Sequence, residues 1–401
     1  MVATVISSGA GWAYWLVAAQ RWSTSAVGLS LSLIAALSII GLIAGQPLTT
    51  SMLVRLPQVS QQWPVLRSIL AITTAGGLAL GCVALVVLPS SMESAMTPTL
   101  RGLFLVSAGV TPIAIVLDGA MLVIRRSGLI VVRTLVHSLG KLALLVAFSL
   151  AAWSVGGPVA VLASWTVAQL IASCIVLLKW HRAAGEAVRV EPAGETSTVL
   201  RKGLVAQIAG TLAGSLPPQI LPIVVVASLG TTQAAWFSIT WLVGGLCFMI
   251  SPAVSQTLLA EGGRRDRDLS QLVKAAAGFS LALLTVPVMV YLLAGRTILD
   301  LFGTDYGAAG GGLLIALAIS SIPDLVTNLA VAVYRIRERL VIAALINCTI
   351  AVVAVWGSVI AVNHGSLAGV GWAWCAGRSS GVVLVGVVLA VEWFTAKGKA
   401  K

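Results

Sequence analysis

The chain is a nearly unbroken succession of apolar segments, separated by short polar connections. About 20 mostly apolar residues in a helix are enough to cross the hydrocarbon core of a bilayer. Of the 401 residues, 58% are hydrophobic and only 9% are charged, whereas about a quarter of the residues in a soluble domain are charged. The sequence therefore predicts an all-α polytopic membrane protein and leaves no room for a separate soluble domain.

The ends of the apolar runs predict about twelve transmembrane helices in two six-helix lobes. The longest polar connection divides them into an N-terminal lobe (1–180), a cytoplasmic linker (181–200) and a C-terminal lobe with a short basic tail (201–401). The predicted spans are 2–20, 27–52, 66–89, 100–124, 130–153, 158–180, 203–228, 232–260, 271–294, 308–333, 339–363 and 366–392.

The basic residues predict the orientation of these spans. Most of the 25 lysines and arginines fall in alternate connections, and only Arg21, Arg101 and Arg296 fall in the others. Cytoplasmic loops carry the excess of Lys and Arg, so both termini are expected in the cytoplasm, with the chain in a plasma or inner membrane. The net charge of +12 is explained by this topology, and no nucleic-acid partner is expected.

A weak internal repeat favours transport as the function. The segment STSAVGLSLSLIAALSII, which begins at Ser23, has a counterpart in TTQAAWFSITWLVGGLCF, which begins at Thr231, and both helices carry a late proline, Pro47 and Pro252. Because each half has an even number of spans, the repeats run parallel. Such lobes enclose a cavity at the membrane midplane and suit alternating access.

Ionisable residues inside the spans are the candidate functional groups, because a charge in the membrane is costly. Two ion pairs are alternatives to a role in binding: Asp118 with Lys141, at matched depth, and Asp324 with Arg378, both near mid-span. Asp324 and Asp118 are also candidates for coupling to an H⁺ or Na⁺ gradient. The predicted cavity residues, chosen from polar faces of the spans, are Lys141, Arg378, His137, Asp324, Asn328, Gln207 and Gln219.

Neither a catalytic motif nor a metal-binding motif occurs in the sequence. There is no nucleotide-binding loop and no acidic pair in an outward loop, and the five cysteines lie apart within apolar spans. We therefore expect no enzyme activity, no metal and no cofactor.

The run ILDLFGTDYGAAGGGLLIALAISSIPDLVTNLAVAVYRIRERL (Ile298–Leu340) contains an outer loop with Phe302, Gly303, Asp305 and Tyr306. This run resembles the polysaccharide-transporter branch of the multidrug/oligosaccharidyl-lipid/polysaccharide (MOP) flippase superfamily, to which the O-antigen and capsule repeat-unit flippases belong. The resemblance implies a V-shaped pair of lobes that moves a polyprenyl-pyrophosphate-linked oligosaccharide from the cytoplasmic to the outer leaflet.

The resemblance implies several partners, and two alternative functions stay open. The expected partners are membrane lipid, the undecaprenyl-pyrophosphate type of lipid-linked oligosaccharide, a coupling ion, and other polysaccharide-assembly proteins. Lys141 and Arg378 are the deep cations expected to attract the pyrophosphate. The alternatives are a cation-coupled multidrug exporter of the MATE type and a membrane-embedded subunit of a polysaccharide-assembly enzyme.

Overall fold

The computed structural model describes residues 2–56, 62–87, 89–150, 155–184, 206, 208–262 and 268–399, and every regular element among them is helical. The helices are α1 (Val2–Arg21), α2 (Thr24–Arg55), α3 (Gln62–Val87), α4 (Ser90–Glu93), α5 (Pro98–Val123), α6 (Ser127–Leu150), α7 (Gly157–Ala184), α8 (208–215), α9 (Pro217–Gly244), α10 (Cys247–Gly262), α11 (Leu269–Asp300), α12 (Thr304–Ile336), α13 (Leu340–Asn363) and α14 (Leu367–Lys399).

Ten of the described helices are long and apolar enough to cross a membrane, which confirms the prediction of an all-α polytopic protein. The 20-residue α1 coincides with the predicted first span. Of the predicted linker, 181–184 continue α7, and 185–200 lie outside the described residues.

The predicted seventh and eighth spans are interrupted helices. The seventh breaks at Leu216, because Pro217 and Pro218 have no backbone N–H to continue the ladder of α8. Within α9, Gly230 has a φ of 85° and is not helical. The eighth span breaks between α9 and α10 at Gly245, so the apolar run that predicted one helix contains two.

The chain divides into two compact units. The first comprises Met1–Ser197 and Val225–Ala235, and the second comprises Thr198–Val224 and Trp236–Lys401. A short piece of α9 thus packs with the first unit, although the segments on both sides of it belong to the second.

The first unit is built around α5. This helix packs against α2, α3 and α7, while α6 packs against α1 and α7. The side chains of Phe104, Val116 and Leu117 on α5 are fully buried by these neighbours.

The second unit repeats this pattern around α12, which packs against α10, α11 and α14, while α13 packs against α14. The turns after the central helices also agree. Ile124 and Arg337 end α5 and α12 with nearly the same φ and ψ, and each is followed by a residue with positive φ, Arg125 (55°) and Glu338 (58°). The internal repeat detected in the sequence therefore extends to the packing and the turns.

Within the first unit, a close backbone approach joins α2 to the piece of α9. A Cβ atom at Gly28 would lie 1.8 Å from the backbone oxygen of Thr231, so only glycine fits without a backbone shift. We expect Gly28→Ala to lower the free energy of unfolding by about 1–3 kcal/mol, the cost of overpacking. Thermal unfolding in detergent measures this.

Gly9 provides the control for this prediction, because no heavy atom lies within 4 Å of a Cβ built there. Gly9→Ala should leave the unfolding temperature unchanged. Equal unfolding temperatures for the Gly28→Ala variant and the unsubstituted protein would contradict the close approach.

Candidate functional site

The second unit contains a cavity of about 490 Å³. Helices α8 to α10 and α12 to α14 contribute its walls, which combine amide, hydroxyl, charged and aromatic groups. The lining residues are Gly210, Thr211, Gly214, Ser215, Pro218, Trp241, Gly245, Phe248, Pro252, Asp324, Asn328, Val331, Arg335, Asn347, Trp374 and Arg378.

Asp324 lies on α12 at this cavity and is only 1% exposed. The Arg378 Nη1 lies 2.9 Å from its Oδ1, and the Ser251 hydroxyl donates to its other oxygen. The Asn328 amide donates to the Ser251 Oγ (3.2 Å) and to the backbone oxygen of Asp324 (3.0 Å). The structure thus pairs Asp324 with Arg378, which was one of the two alternatives left open by the sequence.

Three aromatic rings stand beside this ion pair. The Arg378 guanidinium carbon lies 4.6 Å from the centre of the Trp374 ring. The Trp374 ring meets Trp241 edge-on at 4.9 Å and Phe248 at 6.1 Å. The cavity residues predicted from the sequence do not include these rings, although Trp374 precedes Arg378 by one helical turn, a spacing that places both on the same face of a helix.

Arg335 is the second guanidinium of the cavity. It lies in the last turn of α12, and none of the carboxylates described by the structure forms an ion pair with it within 4.0 Å. The predicted spans place Arg335 in a cytoplasmic connection, because the apolar run ends just before it. In the structure its side chain lines the cavity.

The first unit holds its own buried cation, Lys141 on α6, which is 7% exposed. Its Nζ lies 3.8 Å from the centre of the Trp165 ring and 5.1 Å from that of Tyr14. The Tyr14 hydroxyl is 2.9 Å from both the Val161 oxygen and the Ser164 Oγ, which hold the ring in place. His137 packs edge-on against Trp165 at 5.2 Å. An aromatic enclosure of this kind stabilises a cation without a carboxylate.

The predicted pairing of Asp118 with Lys141 is wrong. Asp118 instead accepts two hydrogen bonds from Arg133, at 2.7 and 2.6 Å. Asp118 lies little more than one turn before the end of α5, and Arg133 lies within two turns of the start of α6. Lys141 lies about two turns further along α6, roughly 12 Å beyond Arg133. Arg133 is therefore the cation close enough to pair with the Asp118 carboxylate.

The Asp118–Arg133 pair can be tested by a double-mutant cycle. We expect Asp118→Asn and Arg133→Gln to be coupled by about 0.5–3 kcal/mol, the range for groups in direct contact. Asp118→Asn combined with Lys141→Met should be additive. Unfolding temperatures of the single and double variants measure both couplings, and a coupling seen only with Lys141 would reverse the assignment.

The two glutamines among the predicted cavity residues are absent from the described lining of this cavity. Gln219 does not line it, and Gln207 lies outside the described residues. In the predicted outer loop, Phe302 and Tyr306 are buried, 2% and 3% exposed, with ring centres 6.5 Å apart. Gly303 between them has a φ of 146°, which favours glycine. The loop motif therefore builds a turn.

Solved structures of the same fold come from two kinds of transport protein. The inward-facing conformation of a multidrug resistance MATE transporter of the MOP superfamily matches with a TM-score of 0.72 and 16% identity, over 98% of this chain and 96% of that one. The lipid II flippase MurJ in an inward closed conformation matches with a TM-score of 0.72 and 10% identity, over 97% and 87%. A MATE protein in its straight conformation gives 0.63 and 15%, over 100% and 94%.

The chain therefore has the fold of the MATE transporters and MurJ. No protein-family model and no curated protein sequence matches it. Among the described residues there is also no group of three or more His, Cys, Asp or Glu side chains placed to hold a metal ion.

Proposed function

We propose that the protein is a membrane flippase that moves a polyprenyl-pyrophosphate-linked oligosaccharide from the cytoplasmic to the outer leaflet by alternating access. The observation that carries the proposal is the charge of the cavity in the second unit, where two guanidinium groups, Arg335 and Arg378, face one carboxylate, Asp324. Since Asp324 is already paired with Arg378, the positive charge of Arg335 is left for an anionic cargo.

The rest of the cavity lining suits the sugar part of such a cargo. The aromatic faces of Trp241 and Phe248 offer apolar surface to the C–H faces of a sugar ring, and Asn328 and Asn347 offer amides to its hydroxyls. Guanidinium groups bind phosphate oxygens through paired N–H donors. Lys141 in the first unit supplies a further deep cation.

The proposed architecture has twelve membrane spans in two lobes, 1–180 and 201–401, joined by a linker at 181–200. In this arrangement both termini and the linker face the cytoplasm of a bacterial cell. Cysteines introduced at Ser197 and Thr304 test the orientation. Thr304→Cys should react with a membrane-impermeant maleimide added to intact cells, and Ser197→Cys should react only after lysis; the opposite result would reverse the topology.

Transport is tested with the full chain reconstituted in lipid vesicles. A polyprenyl-pyrophosphate-linked oligosaccharide is placed in the inner leaflet, and its appearance outside is followed with an added glycosidase. We expect exposure of the sugar to be faster than in protein-free vesicles and to be lost in Arg335→Gln. Equal rates in both kinds of vesicle would reject the flippase.

A second candidate function is cation-coupled multidrug export, which the buried carboxylate of Asp324 in the cavity favours. Efflux of cationic dyes that depends on a proton or sodium gradient and is lost in Asp324→Asn would select this function. Both carboxylates are paired with an arginine, Asp118 with Arg133 and Asp324 with Arg378, and Asp118 is the weaker candidate for coupling because only Asp324 lines the cavity.

A further inference from the structure

A second, smaller cavity of about 260 Å³ lies in the second unit beside the cavity described above. Alanine, leucine and glycine provide its described walls, together with one charged side chain. The lining residues are Ala206, Gly210, Leu259, Arg335, Leu340, Ala343 and Ala344.

The two cavities share Gly210 and Arg335. In the larger cavity the lining side chains include amide, hydroxyl and aromatic groups, whereas in the smaller cavity the described side chains other than Arg335 are those of alanine and leucine. Among the described residues, Arg335 is therefore a cation shared by these two differently lined cavities, which matches an amphiphile whose anionic group separates a polar head from an apolar tail.

At Gly210, one of the two lining residues that the cavities share, α8 and α13 approach each other closely. A Cβ atom at Gly210 would lie 3.1 Å from the Ala344 Cα, so a side chain there would press against the α13 backbone. The Asn347 amide donates a 3.0 Å hydrogen bond to the Gly210 oxygen, which fixes α8 against α13 at this point. The wall that the two cavities share is therefore fixed by the packing of these two helices.

We propose that the smaller cavity binds the head-proximal isoprene units of the lipid carrier, with the pyrophosphate at Arg335 and the sugars in the larger cavity. This inference rests on the proposed function and adds to it the place of the tail. Burial of methyl and methylene groups of the tail against alanine and leucine gives the binding free energy, while Arg335 selects an anionic head. The cavity lies where α12 ends and α13 begins, which the predicted topology places towards the cytoplasmic leaflet.

The location is tested by photo-crosslinking of the full chain in nanodiscs. The probe is a short prenyl pyrophosphate with a benzophenone in its second isoprene unit, and crosslinked peptides are identified by mass spectrometry. We expect labelling of peptides that contain 206–210, Leu259 or 340–344. Labelling confined to other helices, or equal labelling by the neutral prenyl alcohol, would overturn the proposal.

A filling variant gives an independent test. Ala206→Phe is expected to weaken binding of the prenyl pyrophosphate by about tenfold, because it excludes two or more methylene groups from the cavity. Ala275→Phe on α11 is the matched control, since Ala275 is exposed on another helix, and it should leave binding unchanged. Equal affinities for the two variants, both with unaltered thermal unfolding, would reject a tail site here.

The remaining outcomes separate the tail site from the function itself. Displacement of the probe by phosphatidic acid at a concentration equal to that of the probe would show a general lipid groove and contradict the proposal. If the vesicle assay shows sugar translocation while the crosslinks lie elsewhere, the proposed flippase function is supported and the tail site is rejected. If the probe labels the cavity and no translocation occurs, the proposed flippase function is rejected and the binding site for the prenyl pyrophosphate is supported.

Discussion

Replacing Arg378 by glutamine is expected to lower the free energy of unfolding by about 3–5 kcal/mol, the usual cost of removing one partner of a buried ion pair. The carboxylate of Asp324 is 1% exposed and would remain in the protein interior without its guanidinium. The hydroxyl of Ser251 would still donate to it, but a neutral donor does not balance a charge. Thermal unfolding in detergent, followed for the purified full chain, measures the loss.

The double variant distinguishes an ion pair from two independent charges. Asp324→Asn combined with Arg378→Gln should be more stable than Arg378→Gln alone, because no charge is left unpaired in the interior. Arg337→Gln is the matched control, since its Nη1 lies 3.9 Å from Glu392 and its side chain is 48% exposed. Its expected effect is about 0–1 kcal/mol. Additive losses in the double variant would contradict the pairing.

Replacing Lys141 by methionine is expected to reduce transport without lowering the stability of the fold. The Nζ lies over Trp165 and Tyr14, and none of the described carboxylates lies within 4.0 Å of it. Removal of the charge therefore leaves no counter-charge stranded and removes the cost of burying an ammonium group. We expect the unfolding temperature to stay the same or rise.

The rate of transport by the Lys141→Met variant is expected to fall, although its unfolding temperature does not. In the proposed function Lys141 attracts the anionic cargo as a second cation, separate from Arg335. Loss of one charge-assisted contact is worth about 1.5–3 kcal/mol, so we expect translocation in the vesicle assay to fall at least about tenfold. Lys397→Met provides the control, because Lys397 also lies 3.8 Å from the centre of a tryptophan ring, that of Trp393, but is exposed. Normal translocation by Lys141→Met would remove this residue from the mechanism.

The structure also shows which of two variants gives the clearer test of cargo binding. The sequence presents Lys141 and Arg378 as equivalent deep cations. In the structure Arg378 is bound to Asp324, whereas Lys141 rests on aromatic rings. A stability loss would obscure any effect of Arg378→Gln on transport, so Lys141→Met is the cleaner test of cargo binding.

The sequence by itself determined the class of fold and which charges lie within the apolar helices. Apolar runs of about 20 residues leave a chain few alternatives to membrane helices, and ten such helices are present among the described residues. The internal repeat was visible in the segments from Ser23 and Thr231. Residues such as Asp324 and Lys141 stand out in the sequence, because an isolated charge in an apolar run is easily recognised.

Only the tertiary structure decided which groups meet. Hydropathy gives the depth of a residue in the membrane but not the direction in which its helix faces, because lipid and protein interior are both apolar. For this reason the sequence leaves open a pair of Asp118 with Lys141, whereas packing of α5 against α6 joins Asp118 to Arg133. For the same reason Arg335, which appears in the sequence as one more loop charge, contributes to the cavity only through the packing of α8, α10, α12 and α13 around it.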